Sequence, residues 1–201
     1  MSRFKNLFKK NFYFSLILIF TISMGIYVIS FLKNKSTDQV YIGGNFSLID
    51  QNGNPYFSQH DKKKKLLYFG YTYCPDICPF DLMRNAQVVE LLKNENIKIK
   101  PIFITLDPNR DNLETLKEYT DFHHSEMVGL TGSENDIQKI KDIFMVYSQM
   151  PNDLSVDYIL NHSTFTYFIL PEIGLTTYFT RKDKVKKISD TVKCILKNIN
   201  A

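Results

Sequence analysis

Short apolar runs alternate with amphipathic segments after residue 43, and this alternation predicts an α/β domain. The runs at 66–71 (LLYFGY) and 97–106 read as strands of a buried central sheet, since such strands present apolar residues to both faces. Apolar residues at helical spacing predict helices at 79–92 and 184–199 that pack against it. Further strands are predicted at 46–50, 127–130, 164–170 and 175–180, with turns at 51–54 and 171–174.

Two more helices are predicted from polar residues that suit helix starts. Asp111 with Glu114 resembles a capping box and predicts a helix through Tyr119, and Ser133 with Asp136 predicts one through about Phe144. The order is strand–helix–strand alternation, then a hairpin and a final helix. That order predicts an α/β sandwich with a mixed, thioredoxin-like sheet.

A run of 21 residues without a charged side chain, 12–32, predicts one transmembrane helix before the domain rather than a cleaved signal peptide. Four basic residues precede the run and two follow it closely, so the remainder should lie outside the cytoplasm. The absence of an Arg- and Ser-rich transit peptide favours a bacterial inner membrane, crossed once, with the domain in the periplasm. The predicted organisation is a cytoplasmic basic N-terminus at 1–11, an anchor at 12–32, a linker at 33–42 and a domain at 43–201.

The net charge of +4 comes from the N-terminal region. Six of the 25 Lys and Arg residues lie in 1–35, so residues 36–201 hold 19 of them against all 21 acidic residues. This balance excludes the basic surface that nucleic-acid binding requires. The lysine run Lys62–Lys65 is interpreted as a solvated turn or edge guard.

Two of the three cysteines, Cys74 and Cys78, are separated by three residues in the segment 73–79 (YCPDICP). Pro79 suits the first turn of a helix and would place Cys78 at or near the helix start, where backbone N–H groups lower a thiol pKa. A thiolate there can act in disulfide exchange or bind copper(I) or zinc. The third cysteine, Cys194, is interpreted as a small core residue of the last helix.

An imidazole would complete a metal site built on two sulfurs. Of the four histidines, His60 is predicted to be solvated and His123 and His124 to lie on the surface past a helix end. His162 precedes the strand at 164–170, in a loop that a thioredoxin-like sheet turns towards the cysteines. From the residues alone, His162 is as well explained as a structural histidine as a ligand.

Three residues near the strand ends are further candidates. Asp107 follows a central strand and lies either near the site or in a turn that sets the next helix. Tyr71 and Tyr73 flank the cysteines and are predicted to shield the site from water.

The segment 68–79 (YFGYTYCPDICP) resembles the signature of the SCO/SenC family of copper-binding proteins of cytochrome c oxidase assembly. Segments 46–50, 103–111, 128–132 and 157–163 resemble it in the same order, and the resemblance extends over about residues 40–190. It implies a thioredoxin-like fold and one copper ion, Cu(I) or Cu(II), bound by Cys74, Cys78 and His162. The chain departs from the family in two ways: Asn161 stands where an aspartate is common, and the segment 147–156 is short.

The resemblance implies a metallochaperone, not an enzyme, that delivers copper to the dinuclear site of cytochrome c oxidase subunit II and takes no small-molecule substrate. A thiol–disulfide oxidoreductase that reduces the recipient's cysteines is the alternative, and a copper or redox sensor would use the same residues. Against the enzyme, this chain has His162–Ser163 where thioredoxin-type enzymes usually carry a cis-proline.

Overall fold

The computed structural model describes residues 20–27, 42–151 and 158–199. Residues 20–27 form a helix in a first unit, Met1–Val40, and all other described residues belong to a second unit, Tyr41–Ala201. None of the helices in these described ranges has the length and apolar character needed to cross a bilayer. Most of the predicted anchor 12–32 and nearly all of the linker 33–42 lie outside the described residues, as does the whole N-terminus 1–11.

The second unit contains nine described strands and four described helices. The strands are β1 (Ser47–Asp50), β2 (Pro55–Phe57), β3 (Lys64–Gly70), β4 (Ile99–Thr105), β5 (Val128–Thr131), β6 (Ser148–Gln149), β7 (Asn161–His162), β8 (Thr166–Leu170) and β9 (Gly174–Phe179). The helices are α1 (Ile77–Asn94), α2 (Leu113–His123), α3 (Glu134–Phe144) and α4 (Val185–Ile199).

Seven strands form one mixed sheet in the order β2-β1-β5-β4-β3-β8-β9. Strands β3, β4 and β5 are parallel neighbours, while β1, β2, β8 and β9 join the sheet in antiparallel pairs. The predicted α/β sandwich with a mixed sheet is therefore confirmed. The parallel centre places the carboxyl ends of β3 and β4 side by side, where open α/β sheets usually hold their sites.

Strand β3 is buried on both faces, as its continuous apolar run predicts. Leu67 and Phe69 pack into a cluster with α3, whereas Leu66 and Tyr68 face the side covered by α1, α2 and α4. Successive side chains of a strand point to opposite faces, so both layers of helices take their core contacts from this one strand. The sheet is thus fixed from both sides next to the cysteine segment.

The residue that caps the helix start is the predicted one in α3 and a different one in α2. Ser133 caps α3, where its Oγ accepts a hydrogen bond from the backbone N–H of Asp136 (3.2 Å), as predicted. At α2 the cap is Asn112, whose side chain accepts from Thr115 N–H (2.9 Å). Asp111 is instead buried and bonded to Thr72 and Thr105, so its predicted capping role is wrong.

Three side chains lie in environments that differ from the prediction. Cys194 is exposed, because α4 turns Ile188, Ser189 and Val192 inward and places Cys194 on another face. His124 is buried, and its Nε2 lies 2.9 Å from Glu90. Lys65, from the run expected to be solvated, is also buried, with its ammonium group donating to the carbonyls of Asp61 and Lys63.

Three short strands have no counterpart in the predicted elements. β2 follows the correctly predicted turn at 51–54 and forms an edge of the sheet, where its first residue, Pro55, is tolerated. β6 and β7 have two residues each and pair with one another, Ser148 with His162 and Gln149 with Asn161. Segments this short carry no periodic apolar pattern from which to predict them.

Gly129→Ala should destabilise the protein, because an added Cβ would lie 2.8 Å from Leu116 Cγ and 2.9 Å from Thr120 Cγ2 on α2. Both neighbours are buried, so relieving the clash requires a shift of the helix, which costs about 1–3 kcal/mol. Urea unfolding measures the loss. Gly44→Ala is the matched control, since its Cβ would meet Ile143 Cγ2 at an ordinary 3.5 Å. Equal stability of Gly129→Ala and wild type would contradict this packing.

Candidate metal centre

The cysteine segment begins where β3 ends and finishes inside the first turn of α1. After Gly70 the chain forms a turn in which Cys74 N–H donates to Tyr71 O (3.3 Å), and Cys78 is the second residue of the helix. A Cβ on Gly70 would lie 2.9 Å from Cys78 Sγ, so a glycine is needed for the sulfur to approach the strand. Both cysteines are free and buried, as expected for a site beneath the protein surface.

His162 reaches the cysteines on a separate hairpin. It belongs to β7, not to a loop as predicted, and pairs with Ser148 of β6. Beyond the strand pair, Ser163 N–H donates to Tyr147 O (2.9 Å) and Tyr147 N–H donates to Ser163 Oγ (3.0 Å). These bonds fix the chain directly after His162, where it continues into β8.

The structure brings together the three residues predicted as ligands. Cys74 Sγ, Cys78 Sγ and a ring nitrogen of His162 all lie within 4.8 Å of one another, and His162 Nε2 is 3.4 Å from Cys78 Sγ. Among the described residues this is the one group of three or more Cys, His, Asp and Glu side chains that could hold a metal ion. His60 is exposed beside Phe57, and His123 and His124 lie at the end of α2.

The tautomer of His162 suits metal binding. Its Nδ1 lies 2.7 Å from the carbonyl oxygen of Ser163, which can only accept a hydrogen bond. In the neutral ring Nδ1 therefore carries the proton, which leaves the Nε2 lone pair free to bind a metal ion. A backbone carbonyl bound to the second ring nitrogen is a common way to orient a metal-binding histidine.

The two thiols differ in acidity, in the opposite sense to the prediction. The hydrogen bond from the Cys78 thiol, followed by contacts to His162 and to backbone N–H groups, lowers the pKa of Cys74 to about 3. The hydrogen bond to Cys74 and burial raise the pKa of Cys78. The helix start adds to this difference, because the backbone N–H of Cys78 also donates to Cys74 Sγ (3.4 Å).

The donor set fits a soft metal ion. Two sulfurs and one imidazole nitrogen favour Cu(I) or zinc over the oxygen-seeking ions. Cys74 is ready as a thiolate, while Cys78 must release its proton before it can bind. The site can therefore act both as a metal centre and as a reactive dithiol.

The two flanking tyrosines differ in their surroundings. Tyr71 is fully buried, and its ring meets His162 edge-on at 5.8 Å between centroids. Tyr73 is 53% exposed, so it provides little shielding from water, contrary to the expectation. Asn161 is exposed as well and pairs with Gln149, so the departure from aspartate removes none of the three donors.

Asp107 serves both of the purposes considered for it. Its carbonyl accepts hydrogen bonds from the N–H groups of Arg110 (3.2 Å) and Asp111 (2.9 Å), which shapes the turn before α2. Its carboxylate is completely buried and accepts hydrogen bonds from the hydroxyl of Tyr158, four residues before His162. Arg110 and Tyr158 were not singled out from the sequence, because only the folded chain brings them together.

A thiolate should persist on the reduced, metal-free protein at about pH 6, where a free thiol is almost fully protonated. The expectation follows from the pKa of Cys74, which is lowered to about 3. The ultraviolet absorbance of the thiolate measures it; Cys74→Ser should remove the signal and Cys194→Ser should leave it unchanged. A signal that survives in Cys74→Ser would assign the thiolate to Cys78 instead.

Comparison with known proteins places these features in one family. The sequence profile of SCO1/SenC matches residues 34–197. The SCO2-like protein of Rickettsia felis is 42% identical over 163 residues, which are 80% of each chain. ScoI of Arabidopsis thaliana, solved with copper bound, has a TM-score of 0.74 and 32% identity over 78% of this chain and 99% of that one. Yeast Sco1 with copper bound has a TM-score of 0.73 and 34% identity over 78% and 88%.

These likenesses cover the sheet, the cysteine segment and the histidine hairpin together. They agree with the thioredoxin-like sandwich that the residue pattern predicts. The chain belongs to the SCO1/SenC family.

Proposed function

We propose that this protein is a copper metallochaperone that binds one copper ion through Cys74, Cys78 and His162. The observation that carries the proposal is the meeting of two sulfurs and one imidazole nitrogen within 4.8 Å at the end of β3. The solved relatives from Arabidopsis and yeast carry copper, which supports the same cargo here. Copper is the substrate of this protein, to be received and passed on.

The arrangement suits transfer by ligand exchange. Cys74, already a thiolate, takes the incoming ion first, and Cys78 joins after losing its proton. His162 is less buried than the two cysteines and is held by a short hairpin, so it is the ligand most easily exchanged for one from an acceptor. We propose the dinuclear copper site of cytochrome c oxidase subunit II as the acceptor, on the basis of the family resemblance.

The same dithiol supports a second candidate function. Cys74 and Cys78 are free, adjacent and different in acidity, which suits attack of the Cys74 thiolate on a partner's disulfide. Such an oxidoreductase would prepare the cysteines of the recipient for copper. That role needs no metal ligand, so it would not require His162 to bind copper. The two functions therefore depend differently on His162.

We further propose that residues 12–32 anchor the protein in the bacterial inner membrane, with the copper domain in the periplasm. An anchor confines donor and acceptor to one surface and raises their effective concentration. The support is the uncharged run of 21 residues with its greater basic charge on the N-terminal side.

The reduced full-length protein in mild detergent should bind one copper(I) ion per chain against a competing chelator. His162→Ala should weaken binding by about tenfold or more, since even partners outside the ligand shell contribute that much to metal affinity. Cys74→Ser or Cys78→Ser should weaken it further, because thiolates are the preferred ligands of copper(I).

His60→Ala is the matched control and should bind copper as the wild type does, because His60 is exposed and not part of the donor group. Tight binding unaffected by His162→Ala would leave a two-thiolate site and favour the oxidoreductase. Failure of the wild type to compete for copper at all would exclude the chaperone function.

Deletion of residues 12–32 should move the protein from the membrane fraction to the soluble fraction, because the deletion removes the only uncharged run of this length in the chain. The full chain should be extracted by detergent but not by high salt. Fractionation of cells that express both forms measures the difference. Release of the full chain by salt alone would mean that the association is electrostatic, without a transmembrane anchor.

A further inference from the structure

The loop after β4 contacts both segments that carry the candidate ligands. Asp107 is completely buried there, and its two carboxylate oxygens lie 2.8 and 2.7 Å from Tyr158 Oη and share its one hydroxyl hydrogen. Arg110 Nε donates to Asp107 Oδ2 at 2.6 Å. Tyr158 lies four residues before His162, so this bonded group reaches the histidine segment from a part of the chain about 50 residues away.

The guanidinium group of Arg110 extends the contact to the cysteine segment. Its Cζ lies 3.4 Å from the ring centroid of Tyr158, 5.0 Å from that of Tyr73 and 5.7 Å from that of Tyr71. Stacking of a planar cation on aromatic faces is favourable, and arginine suits it better than lysine. One side chain therefore joins the segment before Cys74 to the segment before His162.

A second tie runs closer to the ligand. The backbone N–H of Leu160 donates to Tyr71 Oη at 3.2 Å, and Leu160 is buried. The ring of Tyr71 also meets the ring of His162 edge-on. The residues just before His162 are therefore held at two points. Leu160 bonds to Tyr71, and Tyr158 stacks on Arg110, which also lies over Tyr71 and Tyr73.

Among the described residues, the histidine segment is held on this side by these bonds and by the burial of Leu160. Ile159 is 64% exposed and Asn161 is exposed, so Leu160 is the one buried apolar side chain between Tyr158 and His162. The strand pair β6–β7 has only two residues on each side. A metal site tolerates errors of only about 0.2 Å in ligand distance, so the ring needs firmer support than a short ladder provides.

We propose that Asp107, Arg110 and Tyr158 are positioning residues that hold His162 Nε2 over the cysteine pair. We name these three residues the Tyr158 clamp. The inference rests on the proposed copper binding and deepens it: the clamp acts on copper through the position of His162. The charges of the buried Asp107 carboxylate and the Arg110 guanidinium offset each other. The clamp therefore acts by placing His162, not by changing the charge of the site.

Tyr158→Phe is the sharpest test, because it removes the hydroxyl bonds to Asp107 and keeps the ring that stacks on Arg110. In the full-length protein it should weaken copper(I) affinity by about tenfold, the effect expected of a partner outside the ligand shell. In a His162→Ala background the same change should have no further effect, within about twofold, since coupled residues are not additive.

Tyr147→Phe is the matched control. It also removes a tyrosine hydroxyl from the hairpin region, but that hydroxyl bonds to Gln149 on the exposed side. Copper affinity should stay at the wild-type value. Arg110→Lys is a second variant that keeps the charge and loses the planar stacking, and it should reproduce the effect of Tyr158→Phe.

Amide hydrogen exchange on the metal-free protein gives a readout that does not depend on copper. Exchange at Leu160 N–H should accelerate by about tenfold or more in Tyr158→Phe and remain unchanged in Tyr147→Phe, because local opening governs exchange of a bonded amide. Amides in β3 and β4 should be unaffected in both variants.

Two results would overturn the clamp. Unchanged Leu160 exchange in Tyr158→Phe would show that the hydroxyl does not hold the segment, whether or not the protein binds copper. An equal loss of copper affinity with and without His162 would show general destabilisation in place of positioning. If His162→Ala alone leaves copper binding intact, the proposed three-ligand site fails, while the exchange result still decides whether the clamp orders the histidine segment.

Discussion

The buried carboxylate of Asp111 is the contact on which the geometry of the metal centre depends. It accepts hydrogen bonds from the N–H and hydroxyl of Thr72 (3.0 and 2.6 Å) and from the hydroxyl of Thr105 (2.5 Å). Thr72 belongs to the cysteine segment and Thr105 ends β4, so one side chain joins the two strand ends. Burial raises the pKa of Asp111 even though these donors favour the charged form. Each bond to such a group contributes about 1.5–3 kcal/mol, and an unpartnered buried donor would cost a similar amount.

The two cysteines that follow this junction form an asymmetric pair. The turn at Tyr71 places Cys74 just before α1, while Cys78 is already inside its first turn. The thiol and the backbone N–H of Cys78 both donate to Cys74, and Cys78 lies against Gly70 with no access to water. The result is one thiolate and one thiol, a pair that can accept a soft cation in two steps.

The histidine is supported in a different way from the cysteines. The cysteines belong to a strand–helix junction inside the core, whereas His162 sits on a hairpin at the surface and depends on contacts made by distant residues. The proposed copper chaperone needs both properties, because its cargo must be held and then released. Rigid sulfurs with a more exposed imidazole meet these two demands with separate parts of the fold.

By itself the sequence determined the local features of this protein. Continuous apolar runs set β3 and β4, Ser133 set the start of α3, and the spacing of Cys74 and Cys78 between a strand and a helix indicated soft-ligand chemistry. The resemblance of residues 68–79 to one family pointed to His162, which the residues alone left open between a ligand and a structural histidine.

The tertiary structure alone decided which distant side chains meet. Asp111 reads as a helix cap in the sequence, yet it bonds to Thr72, and Tyr158 bonds to Asp107 across about 50 residues. Cys194 reads as a core residue, but the rotation of α4 against the sheet exposes it. Periodicity reports only contacts between near neighbours along the chain. The acidity of each thiol and the placement of His162 depend on contacts between residues far apart in the sequence. Only the folded sheet and its helices bring these residues together.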